Sequence, residues 1–172
     1  MTAGTLQSEL AEELRKILKE FRLKNMEGNF SRINVFEQYL PVPEPKKQSN
    51  IPPELLENGL AEEETDPEPF PYIIVRVSEG EIEDADSAQM VRLILIIGVC
   101  DTDYERQGGK DILNIIAKIY ERFAKMPVLN GKYTIQYPIE WALQEEESYP
   151  VYFGGMALTF ETAAIRREDP YS

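Results

Sequence analysis

The sequence contains no histidine, which excludes His-ligated metal centres and every catalytic triad built on imidazole. Its one cysteine, Cys100, has no partner for a disulfide within the chain, and a thiol nucleophile here would lack an imidazole base. Cys100 closes an apolar run and reads as a small core residue in a reducing compartment. That run, residues 91–100, is interrupted by Arg92 and falls far short of the roughly 20 apolar residues needed to span a membrane. No basic start followed by an apolar stretch marks a signal peptide, so neither secretion nor membrane insertion is expected. Bases are also scarce: 18 Lys and Arg stand against 31 Asp and Glu, a net charge of −13.

The acids are unevenly placed. Residues 54–86 hold twelve acids and a single base, Arg76, so the rest of the chain is nearly neutral. Such a surface repels phosphate backbones, and sequence-specific nucleic-acid binding is not expected. Within this segment Glu79, Glu81, Glu83, Asp84 and Asp86 crowd an expected turn between two strands. Mutual repulsion requires that tip to stay in water or to meet a basic partner.

What is present is enough for one domain. The 172 residues are 42% hydrophobic, which suffices to bury a core without metal or disulfide support. Leu6, Leu10, Leu14, Ile17, Leu18 and Phe21 recur at helical spacing, and this predicts an amphipathic helix over 5–21. Residues 30–40 suggest an extended piece. Eight of the twelve prolines lie between Pro41 and Pro71, and this predicts a long, independent excursion with at most a helical turn at 53–60. Strands follow at 72–78 and 89–99 as an antiparallel pair. A second helix opens at Asp111 with the stripe Ile112, Ile115, Ile116, Ile119, Tyr120 and Phe123. Two alternating strands flank Pro138, and a last strand carries Met156, Leu158 and Phe160 on one face. Gly154-Gly155 in that strand predicts a bulge or a close approach by another backbone. The expected fold is α+β: a mostly antiparallel sheet of about four to five strands with two helices packed on it. The expected layout is one domain over 1–172: an N-terminal helix and extended segment (1–40), the excursion (41–70), a core (71–163) and a tail (164–172).

No constellation equips this chain for chemistry. Asp101-Thr102-Asp103-Tyr104-Glu105 begins like a calcium loop, but Arg106 stands where glycine is needed and Ile112 where a bidentate Glu is needed. Gly108-Gly109-Lys110 before a helix lacks the upstream glycine of a phosphate loop. The runs Glu62–Glu64 and Glu145–Glu147 are the pattern of solvated faces. No catalytic, cofactor-binding or metal-binding residue is therefore assigned, and the chain is not expected to be an enzyme. Aromatics crowd the C-terminal third, and core packing explains most of them. Tyr149, Tyr152 and Phe153, set around Pro150 and beside Gly154 and Gly155, are the candidate partner surface, since aromatics concentrate at interface hot spots.

Four stretches in order carry a resemblance: Phe70–Arg76, Val91–Gly98, Gly109–Ile116 and Tyr137–Trp141, the last followed by an acidic loop and Tyr149–Gly154. Over about residues 69–163 the chain resembles the tail terminator (tail completion) proteins of long-tailed phages and prophages of Gram-positive bacteria, similar in role to the phage lambda tail terminator. The resemblance implies a structural virion protein made in the host cytoplasm, a homohexameric ring without cofactor. Its partners would be the tail tube protein and the head-completion or connector protein. The Pro-rich stretch lies outside the resemblance. In such a ring the acidic tips would either line the lumen, bringing about 30 negative charges together, or face outward and serve solubility. Another neck subunit, or a cytoplasmic adaptor using the acidic Pro-rich segment, are the competing expectations.

Overall fold

The computed structural model describes residues 2–42, 68–103, 107–165 and 168. Residues 43–67 of the Pro-rich segment, including the helical turn expected at 53–60, lie outside the described residues. So do 104–106 and much of the 164–172 tail.

Helix α1 (Ala3–Ile17) starts earlier than its apolar spacing predicts because Thr2 and Thr5 form a capping box. The Thr5 amide donates to Thr2 Oγ1 at 3.1 Å, and the Thr2 amide donates to Thr5 Oγ1 at 2.8 Å. Two otherwise orphaned amide donors are thereby satisfied. The helix stops at Leu18 rather than reaching Phe21. Leu6, Leu10, Leu14 and Leu18 form the buried stripe. Helix α2 (Gly108–Lys125) buries Ile112, Ile115, Ile116, Ile119 and Phe123. Tyr120, expected in that stripe, is 47% exposed. It stands about 100° around the helix from Ile119 and so falls outside the buried arc.

The fold is α+β, with both helices on one face of a mixed six-stranded sheet. Strands β1 (Leu23–Lys24) and β2 (Phe30–Ser31) form a separate small hairpin. The main strands are β3 (Asn34–Glu37), β4 (Tyr72–Ile82), β5 (Gln89–Cys100), β6 (Val128–Leu129), β7 (Tyr133–Leu143) and β8 (Val151–Thr162). They lie in the order β3-β4-β5-β8-β7-β6, with β3 parallel to β4 and every other neighbour antiparallel. The sheet thus exceeds the four to five strands expected, because the extended piece at 30–40 joins it as β3 and the two-residue β6 is too short to carry a period. A parallel neighbour needs a long crossover, and residues 38–71 supply it between β3 and β4. The Pro-rich excursion belongs to that connection.

Two further expectations change. The two strands expected around Pro138 are one strand, β7, whose register to β8 shifts between Gln136 and Glu140. Proline has no amide to give to a ladder, so the strand absorbs it as an irregularity rather than ending. No register shift occurs at Gly154-Gly155, which pair with Leu143 and Ala142 and with Ile97 and Ile96 in continuous ladders. The bulge lies instead between Val77 and Glu79 of β4.

Candidate functional site

Strand alternation gives the sheet two unlike faces. One carries Ile73 and Val75 of β4, Leu93, Leu95 and Ile97 of β5, and Met156, Leu158 and Phe160 of β8, all buried under α1 and α2. The other carries Tyr72, Ile74, Ile94, Ile96, Phe153, Gly155 and Ala157. Among the described residues no helix packs on this second face. It holds a smaller cluster of Phe70, Tyr72, Ile74 and Cys100, joined by half-buried Phe36, Ile96, Val151 and Phe153. The ring of Phe70 lies 4.9 Å from that of Tyr72 and 6.0 Å from that of Phe153. Gly98 makes this possible: a Cβ there would sit 2.6 Å from Tyr72 Cζ.

The five residues singled out as a partner surface do not form one patch. Tyr152 points toward the helices, and its ring lies so close to Gly108 that a Cβ on that glycine would be 2.1 Å from Cδ2. The glycine pair at the start of α2 is therefore a packing requirement at Gly108, while Gly109 meets nothing within 4 Å. Gly154 also faces the helices, with Ile112 Cγ2 2.6 Å from where its Cβ would be. Phe153 and Gly155 lie on the open face. Tyr149, 45% exposed, donates its hydroxyl to the Thr102 carbonyl at 2.7 Å. Of the five, Phe153 and Gly155 alone join the open apolar stripe.

Core packing does not account for the C-terminal aromatics as fully as the sequence suggested. Tyr133 and Phe160 are fully buried, but Tyr137 and Trp141 are 61% and 56% exposed. Both lie at or beyond the β7 register shift.

The acidic tip is where it was expected, although β4 runs to Ile82 and so claims Glu79 and Glu81. All five acids are exposed. Hydrogen bonds from the Ser87 side chain and the Asp86 amide hold the Asp84 carboxyl below its usual range. Ile82 on this tip is 62% exposed.

Asp101, which opens the calcium-like stretch, accepts from backbone amides instead. Asp101 is buried, and its two carboxylate oxygens accept from the amides of Asp103 at 3.0 Å and Gln107 at 3.1 Å. Burial, and then the Asp101 charge, push the Asp111 carboxyl up. Burial likewise raises the Cys100 thiol, which keeps it protonated and weakly nucleophilic. Among the described residues no group of three His, Cys, Asp or Glu converges as a metal site, and no helix is long and apolar enough to cross a membrane. No protein-family model matches the chain, and no curated protein matches it.

Proposed function

We propose that this chain is a phage or prophage tail terminator, a structural subunit that closes into a ring on the tail tube and presents a surface to the head connector. The observation that supports it is the open face of the sheet. Half-buried Phe36, Ile96 and Phe153, with Ile94, Gly155 and Ala157 beside them, form an apolar stripe that no described helix covers, packed by Phe70 and Leu40 and bordered by Arg76 and the Arg92–Glu140 pair. Stripes of this kind mark association surfaces, and small residues let a second backbone come near. The ordered resemblance over residues 69–163 supplies the identity of the assembly and its six-fold closure. The function resides in surfaces, and the polar groups that resemble catalytic or metal-binding elements serve turns and caps.

The test is negative-stain imaging of the purified protein, alone and mixed with tail tubes. Closed rings, free or seated on tube ends, are the expected result. A chain that stays monomeric at high concentration and forms no ring on tubes refutes the proposal.

A further inference from the structure

The acidic tip and a small basic groove stand toward opposite ends of β4, with Glu68, Asp101, Asp103 and Glu145–Glu147 also at the groove's end of the sheet. At one end stands the acidic tip with exposed Ile82. At the other, a groove is lined by the bases Arg15, Lys19 and Arg32 and, on its helix side, by Leu18 and Ile33, with Phe36 at its edge. Asn34 and Val35 complete its lining, and no acid takes part in it. In a chain of net charge −13, a groove with three bases and no acid is a local inversion. Lys19 and Arg32 are exposed and have no acidic partner among the described residues. Arg15 pairs with Glu12 and donates to the Val35 carbonyl at 2.9 Å. That bond occupies one acceptor on the outer edge of β3.

Helix α1 measures the separation. Its first residue, Ala3, lines a shallow groove with Ile82 and Gln89 at the acidic end, and its last turn carries Arg15 at the basic end. Its 15 residues span about 22 Å at 1.5 Å per residue. Along the sheet, the eight steps from Ile74, the partner of Phe36, to Ile82 give about 26 Å at 3.3 Å per residue. A subunit's own tip therefore cannot reach its own groove. We infer that the acidic β4–β5 tip of one subunit docks in the basic groove of the next, joining copies of this chain head to tail. The acids meet Arg15, Lys19 and Arg32, and Ile82 packs beside Leu18 and Ile33. Contacts of this heterologous kind build a ring when the rotation closes. The inference rests on the ring reading and names one contact within it, which places the tips between subunits rather than free in a lumen or at the rim.

Charge reversal tests it on the full chain. Lys19→Glu with Arg32→Glu reverses the groove, and Glu81→Lys with Glu83→Lys reverses the tip. All four side chains are exposed, and circular dichroism checks that each variant stays folded. Sedimentation velocity at low salt is expected to show multimers for the wild type and loss of the multimer boundary for either reversal. The chain carrying both reversals should regain the boundary. Wild-type multimers should also weaken between about 0.05 M and about 0.5 M salt as the Debye length shrinks. A Glu83→Cys, Arg32→Cys chain should form a disulfide between subunits, with the buried Cys100 of the wild type as the control. If wild-type multimers persist unchanged through both single reversals, the docking contact is wrong and the ring reading stands. If only the groove reversal matters, the groove takes a different surface and the inference is likewise overturned. A wild type that neither sediments as a multimer nor forms the cross-link overturns the docking contact, and absence of rings on tail tubes then removes the ring reading as well.

Discussion

Gly154 and Gly155 are adjacent in β8, yet the structure assigns opposite outcomes to the same substitution. An alanine methyl at Gly154 would sit 2.6 Å from Ile112 Cγ2, 3.2 Å from the Ala142 carbonyl and 3.3 Å from Leu143 Cδ2. The first distance is closer than carbons can approach, and the second involves backbone that cannot step aside. Relief requires α2 to lift or Ile112 to leave its rotamer. Overpacking of this kind costs about 1–3 kcal/mol. Restricting the unfolded chain returns about 0.4–1 kcal/mol. The net for Gly154→Ala is a loss of about 1–2 kcal/mol, or roughly 2–8 °C in Tm for a chain of this size. At Gly155 the nearest atom is the Leu95 carbonyl at 3.6 Å, an ordinary contact. Gly155→Ala should therefore leave Tm unchanged or raise it by a degree or two. Chemical and thermal unfolding followed by circular dichroism measure both. Ile112→Ala removes the colliding atom, so in that background Gly154→Ala should cost little or stabilise, a coupling that a double-mutant cycle reads directly. Equal stability of the two single variants, or no coupling to residue 112, would show that α2 does not press on β8 at this point.

Arg122 ties the two helices together: Nε donates to Glu13 Oε1 at 2.6 Å, with side-chain exposures of 16% and 14%, and the guanidinium also reaches the Met126 and Val128 carbonyls. Arg122→Ala strands a largely buried carboxylate and should cost about 2–4 kcal/mol by urea unfolding, with Glu13→Gln recovering part of it. Tyr72 gives a pH signature, because burial and then Glu68 push its phenol up to about 12 from an ordinary value of 10. Below pH 10 both states keep the proton; between pH 10 and 12 the unfolded state releases it first, so stability falls as pH rises, by about 2 kcal/mol at about pH 11.5. Tyr72→Phe lacks this loss, so its stability relative to wild type should climb between about pH 9 and about pH 11.5, and a constant difference would mean that Tyr72 is not buried.

The long elements were legible because each buries one continuous side. The Ile112–Phe123 stripe of α2 shows its period, and the run from Val91 to Cys100 in β5, apolar on both faces, is identified by its length and its β-branched content. The short edges were less so: an extended piece was legible over 30–40 but not its place in the sheet, and β6 was not legible. Strand β3 shows four residues with one buried side chain, Val35, and its parallel place beside β4 depends on a ladder partner 38 positions away. Strand β6 has two residues, but a signal was present: Asn130-Gly131, both with positive φ (52° and 68°), is the dipeptide favoured in two-residue hairpin turns. At Thr2 the cap that begins α1 is a threonine pair rather than the Ser/Thr with Glu pattern, so the apolar spacing alone placed the start too late.

The candidate surface was misjudged for a reason that belongs to strands. Tyr152, Phe153, Gly154 and Gly155 are neighbours in sequence, but a period of two sends them alternately to opposite faces. Composition showed that aromatics and glycines cluster here; it could not show which of them α2 would claim. Tyr152 and Gly154 answer to Gly108 and Ile112, residues more than forty positions earlier in the chain. That pairing follows from α2 crossing β8, a contact no local pattern encodes. The basic groove was hidden for the same reason, since Arg15, Lys19 and Arg32 come from α1 and from the segment entering β3. Spread among acids in sequence, these bases read as ordinary solvated charges. Only when the sheet sets β3 beside the last turn of α1 do they converge on one groove, Arg15 with its partner Glu12, at the far end of β4 from the Glu79–Asp86 tip. The local basic groove is thus a product of topology, which no stretch of sequence read by itself displays.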